Sequence, residues 1–200
     1  MNILAVDATG EVLSVALAAG GKVFAARKSG RRPHDELLLP AIEAVLKRAK
    51  TSWDDLDAVA AAAGPGRFTG IRIGLSFAAV AGMQLKIPVL ALSRLEAAAE
   101  KSGVDDVLAA LPGWKNEVYH QLFRRKNGAP TAVGEAAWAS PEAWPKARAD
   151  AESRGLAVAY GDTDAENLIP VARRRLAAKR IPPFEPFYLK PAGYEKNPPR

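Results

Sequence analysis

Apolar positions along the chain follow first a period of two and then a period near 3.6. Ile3 to Val6 is a continuous apolar run ending at Asp7, as expected for a short strand covered on both faces. Glu11 to Ala19 and Lys22 to Lys28 read as two more strands, joined by the hairpin dipeptide Gly20-Gly21. From Asp35 to Lys50 the period is helical, with Leu38, Ile42, Val45, Leu46 and Ala49 on one stripe. Pro40 lies early in that stretch and either marks the first turn or kinks the helix. Asp57 to Ala63 reads as a buried strand that runs into Gly64-Pro65-Gly66-Arg67-Phe68-Thr69-Gly70. Gly70 to Leu85 is predicted helical, apolar nearly all round and rich in small residues, so it requires cover on most sides. After a strand at Ile87 to Leu92, the capping box Ser93-x-x-Glu96 opens a helix that Gly103 ends.

The pattern then restarts. Val104 to Leu111, Glu117 to Arg125 and Pro130 to Ala137 read as strands, the last two turning at Asn127-Gly128. Ser140-Pro141 is an N-cap and N1 pair predicting a helix closed by Gly155. Leu156 to Tyr160 is a strand, Asp164 to Arg180 a basic helix, and the Pro-rich end holds one short strand, Phe187 to Lys190. Both halves are hairpin strands followed by alternating helices and strands. The expectation is an α/β fold of two lobes, residues 1–102 and 103–200, the second carrying the Pro-rich tail.

Composition removes several kinds of chemistry. With no cysteine among 200 residues, disulfides, thiolate zinc sites and cysteine nucleophiles are excluded, and the composition fits a cytoplasmic protein. Two histidines, His34 and His120, lie far apart and read as structural, so no metal site is expected. The apolar start lacks a basic n-region and is broken by Asp7, unlike a signal peptide. Ile71 to Leu85 carries Arg72 and is short for a bilayer, so no membrane association is expected. The 28 Lys and Arg against 22 Asp and Glu give a net charge of +6, concentrated in Arg173, Arg174, Arg175, Lys179 and Arg180. Such a cluster is either a solvated helix face or a contact for RNA phosphates.

Two places carry candidate chemistry. The Gly64–Gly70 loop, with Gly64, Gly66, Thr69 and Gly70, stands between strand and helix, where backbone N–H groups hold anions. A tight turn plugged by Phe68 accounts for it as well, and it lacks the Gly-Lys-Ser/Thr of a Walker loop. Asp7 ends the first strand, as a ligand for Mg²⁺ with a nucleotide or as a turn residue bonding its own backbone. Ser76 lies mid-helix rather than on a nucleophile turn, and Asp54-Asp55 and Asp105-Asp106 diverge as neighbours must.

Several blocks resemble the TsaB/YeaZ family: Ile3-Leu4-Ala5-Val6-Asp7-Ala8-Thr9 with Ser14-Val15-Ala16-Leu17, then His34-Asp35-Glu36-Leu37-Leu38-Leu39-Pro40. The longest is Gly64-Pro65-Gly66-Arg67-Phe68-Thr69-Gly70-Ile71-Arg72-Ile73-Gly74, continued by Ile87-Pro88-Val89-Leu90-Ala91-Leu92-Ser93. Weaker echoes are Glu117-Val118-Tyr119 and Glu185-Pro186-Phe187-Tyr188-Leu189, so the likeness is dense in the first hundred residues and thin afterwards. The resemblance implies an actin/Hsp70/sugar-kinase-like fold. It also implies a non-catalytic subunit working beside TsaD-like and TsaE-like proteins to place threonylcarbamoyl on the adenosine next to the anticodon of tRNA. TsaD, the paralogue, carries metal-binding histidines where this chain has Arg94 and Ala98, which cannot ligate a metal. The family pattern further implies a partner interface on the helices bearing Leu38, Ile42, Val45, Leu46, Ile73, Phe77 and Val80. The same helices would serve a homodimer, a nucleotide would sit at the partner interface, and tRNA would be reached through the complex. Leu111-Pro112-Gly113-Trp114-Lys115-Asn116 departs from the family's Asp-Ala-Arg-like stretch. The competing reading is an ATP-dependent phosphotransferase of the same fold, using Asp7 and the Gly-rich loop.

Overall fold

The computed structural model describes residues 1–30 and 32–190. Strands β1 (Ile3–Asp7), β2 (Leu13–Ala19), β3 (Lys22–Lys28), β4 (Ala58–Gly64) and β5 (Val89–Ser93) form one sheet in the order β3-β2-β1-β4-β5. β1, β4 and β5 run parallel, β2 pairs antiparallel with β1, and β3 pairs antiparallel with β2. A second sheet, β8-β7-β6-β9, comprises β6 (Asp106–Pro112), β7 (Val118–Lys126), β8 (Ala129–Ala139) and β9 (Ala157–Tyr160), with β9 parallel to β6.

β1, β2 and β4 are buried at every position because helices cover both faces of their sheet. On one face Leu4, Val6, Val15, Leu17 and Val59 meet α1 (His34–Ala49) and α2 (Phe68–Leu85). On the other, Ile3 and the small row Ala58, Ala60 and Ala62 meet α5 (Ala165–Ala177) through Leu168, Ile169 and Val171. Between the sheets runs α3 (Arg94–Ser102), which gives Ala97 to the core under α5 and Leu95, Ala98 and Ala99 to a third core on β6 and β7. Ser93 Oγ caps α3 by accepting from Glu96 N (3.4 Å), and Gly103 closes it in the left-handed region (φ 69°). α4 (Trp144–Ser153) packs on β9.

Four expectations change. The 103–200 lobe is not self-contained, since α5 crosses back to cover the first sheet and Ser14 Oγ accepts from Ala165 N at its start (2.8 Å). Its apolar stripe fixes which side of the helix is buried, but not which sheet buries it. Phe187 to Lys190 is no strand: Phe187 N donates one ladder-like bond to Ala63 O (2.8 Å), and Pro186 before it has no N–H to donate. Pro191, Pro198 and Pro199 of the tail lie outside the described residues. Ser140-Pro141 forms a turn, and α4 begins only at Trp144. Finally, α2 starts at Phe68 and reaches 18 residues, long and apolar enough to cross a bilayer by length and composition. Here Gly70, Ile71, Gly74, Leu75, Ala78 and Ala81 instead bury one side of it under the sheet.

Candidate functional site

Parallel strands of an α/β sheet present their carboxyl ends to ligands. Here Asp7 ends β1, Gly64-Pro65 ends β4 through a cis peptide bond, Ser93-Arg94 follows β5, and Asp162 follows β9. Beside these ends lies a cavity of about 320 Å³, lined by Arg94 and Asp162 together with Thr9, Gly10, Gly66, Arg67, Trp114 and Tyr119.

The floor of that cavity is an ion pair. Arg94 Nε donates to Asp7 Oδ2 (3.0 Å), and each side chain is 2% exposed. Arg94 Nη1 donates to the Pro65 carbonyl (2.9 Å) and Nη2 pairs with Asp162. Asp7 Oδ1 accepts from Thr9 N (2.9 Å) and Thr9 Oγ1 (2.6 Å). Asp7 is therefore committed to a guanidinium and its own turn, and a Mg²⁺ there would face the Arg94 cation. Of the two readings of Asp7, these bonds match the turn residue bonding its own backbone. Burial of Tyr119 on the same cleft pushes its phenol up.

The Gly-rich loop is explained by the chain itself. A Cβ at Gly66 would stand 2.7 Å from Thr9 Cβ, and one at Gly70 would overlap the Ala8 carbonyl oxygen. Gly64, at φ 120°, faces the Phe187 carbonyl. Arg67 N donates to Thr9 O (2.8 Å), so the loop packs against the β1–β2 turn, and Thr69 is exposed. His34 ties the same turn to α1, with Nδ1 2.9 Å from Ala8 O and Nε2 3.3 Å from Glu11 O.

The α1 stripe is also corrected. Leu38, Ile42, Val45 and Leu46 are 0–5% exposed and form the face of α1 that packs on the first sheet. A 3.6-residue period marks a buried face, whether a partner or the chain's own sheet covers it. The α2 residues behave differently. Ile73 and Phe77 are half-buried and Val80 is exposed; with Leu38, Leu39 and Trp53 they line an apolar groove of about 710 Å³ between α1 and α2. Leu39 is 52% exposed there, and Met83 (80%) is exposed three residues beyond Val80 on α2; both carried no sequence signal, since each lies off the main stripe.

The basic helix is more than a solvated face. Arg174 donates to Glu96 (2.9 Å) and Glu100 (2.6 Å), and Arg175 to both oxygens of Glu96, fastening α5 to α3. Among the described residues no three His, Asp or Glu side chains converge as a metal site.

With this geometry in view, the likeness to known proteins is informative. The sequence model of the family described as TsaD, tRNA N6-adenosine threonylcarbamoyltransferase, matches residues 27–155. The tRNA threonylcarbamoyladenosine biosynthesis protein TsaB of Escherichia coli K12 is 31% identical over 222 aligned positions, covering 95% of each chain. TsaB of Bacillus subtilis 168 is 32% identical over 131 positions, 64% of this chain and 57% of that one. Among solved structures, YeaZ from Pseudomonas aeruginosa matches with a TM-score of 0.75 at 26% identity, over 94% of this chain and 99% of that one. The α/β arrangement of two mixed sheets flanked by helices is thus shared with a solved relative.

Proposed function

The chain belongs to the TsaB family of tRNA threonylcarbamoyladenosine biosynthesis proteins, and from that premise we propose that it is a non-catalytic subunit docking on a TsaD-like subunit through the α1–α2 face. The observation that carries the reading is the apolar groove, where Leu39 and Val80 are exposed beside Trp53, Ile73 and Phe77, with Met83 exposed three residues further along α2. A contiguous apolar patch of large side chains on a folded chain marks a protein contact. The bridged cleft supports the accessory role, because Arg94 occupies the charge that a phosphotransferase would give to a metal ion. In this scheme the chain works in the cytoplasm, a TsaE-like protein completes the complex, any nucleotide sits at the subunit interface, and tRNA is met by the assembly. The same groove would hold a second copy of the chain when the partner is absent.

The test is co-elution with the TsaD-like subunit in size-exclusion chromatography, comparing wild type with Val80→Glu and Met83→Glu. Both positions are solvent-exposed, so folding stability should stay within about 0.5 kcal/mol. A complex lost in both variants is expected. Failure of the wild type to associate under any nucleotide condition sinks the reading. ATP turnover by the free chain, abolished by Asp7→Asn, would establish the phosphotransferase instead.

A further inference from the structure

The C-terminal end of α5 faces the β7–β8 hairpin over a groove of about 530 Å³. Its lining holds four cations, Lys126, Arg174, Arg175 and Arg180, against one carboxylate, Glu96. We propose that this groove seats the phosphodiester backbone of RNA, a proposal that rests on the tRNA role stated above.

The charge is built from two walls. Lys126 ends β7 and precedes the left-handed Asn127-Gly128 turn (φ 52° and 75°), while Arg174, Arg175 and Arg180 come from α5 and the residues after it. Folding brings together cations that lie about fifty positions apart in sequence, which a simple solvated helix face would not do. Lys126 and Arg180 are exposed and have no acidic partner among the described residues. Glu96 and Glu100 hold the other two in place without neutralising the groove. Arg175 spends only Nη2 on Glu96, and its Nε has no acceptor. Guanidinia already fixed by a carboxylate lose little freedom when a phosphate arrives, and their forked donors match its oxygens.

The remaining lining favours backbone over bases. Ala129, Pro130, Ala132 and Ala178 are small, and Phe123, the aromatic of the groove, is 3% exposed and already packed in the core. No face is offered for a base to stack on, so recognition here is independent of sequence. The contact positions a folded RNA; it does not read it.

The test is a titration of an unmodified tRNA transcript onto the full chain across a salt series. Wild type is compared with Lys126→Glu/Arg180→Glu, with the neutral pair Lys126→Gln/Arg180→Gln, and with a control reversal on exposed β3 positions, Lys22→Glu/Lys28→Glu. The groove reversal should weaken binding about tenfold at low salt and lower the slope of log K against log salt by about 1.4–1.8, two phosphate contacts' worth. The neutral pair should fall between, and the control should stay within about twofold of wild type. Equal binding by wild type and groove variants, or an equal loss in the control, overturns the proposal. So does loss of TsaD-like partner binding with tRNA binding intact, which would assign the groove to a protein. Because partner co-elution is read separately, failure of the subunit reading is distinguishable from failure of the RNA seat.

Discussion

Arg94 Nε lies 3.0 Å from Asp7 Oδ2, and this pair joins the end of β1 to the start of α3 with both side chains 2% exposed. A buried charge stripped of its partner costs far more than the pair contributes net. Arg94→Met should therefore destabilise the chain by about 3–5 kcal/mol in urea unfolding, because Asp7 would keep only its Thr9 bonds. The double variant Asp7→Asn/Arg94→Met removes both charges and should recover about 1–3 kcal/mol of that loss. A loss under 1 kcal/mol in Arg94→Met would mean the pair does not close the cleft.

Much of this was legible in the chain, and the gaps have physical causes. The β1 and β4 stretches read correctly, and α2 as a helix though not in its start or its one-sided burial, because their composition and spacing are local signals: apolar runs, a Gly-Pro-Gly turn and a small-residue helix. Gly103, Asn127 and Gly128 likewise announced the left-handed turns they occupy. What failed depended on distant packing. Ile42 and Val45 gave a clean helical stripe, yet only the assembled first sheet shows that it is the chain's own core. The destination of α5, on the first sheet rather than the second, is invisible in Leu168 and Val171 themselves. Arg94 was legible as a residue unable to bind metal, but its three partners come from three different segments 29 to 87 positions away.

The α3–α5 fastening gives a second prediction. Glu96 is 10% exposed at its side chain and accepts from Arg174 and Arg175, which are 26% and 36% exposed. Charge-assisted bonds of this kind contribute up to about 3 kcal/mol when dry, and the solvent around both arginines reduces that. Glu96→Gln keeps the shape and removes the charge, and should cost about 1 kcal/mol in chemical denaturation. Glu100→Gln, which leaves the Glu96 contacts in place, should cost less. The reverse order would place the main fastening at the Arg174–Glu100 contact.

Gly70 supplies a third. In a helix, alanine is favoured over glycine by about 1 kcal/mol. At this position the added methyl overlaps the Ala8 carbonyl, a backbone group in the turn that also carries the Thr9–Asp7 bonds. Overpacking against backbone typically costs about 1–3 kcal/mol, so Gly70→Ala should destabilise by about 2 kcal/mol net of propensity. Gly74→Ala serves as the contrast, because a methyl there meets Ala61 Cβ at an ordinary 3.8 Å. Gly74→Ala should be neutral or stabilising, and equal losses in the two variants would remove the close-approach explanation.

His120 gives the pH prediction. It is half-buried in β7 with its ring 5.7 Å from that of Trp144, and burial holds its imidazole below the ordinary 6.5. In the unfolded chain the group takes up its proton through pH 6.5, while the folded chain takes it up only at lower pH. Between those two values the unfolded state binds more protons, so stability rises with pH. The contribution is complete above pH 6.5 and is lost as pH falls through the folded value. Thermal melts between pH 7.5 and 5 should show the wild type losing more stability on acidification than His120→Gln, which has no proton to gain there. The imidazole resonance that disappears in the variant should titrate with a midpoint below 6.5. A midpoint at or above 6.5 would mean that solvent reaches the ring and that the β7–α4 contact does not desolvate it.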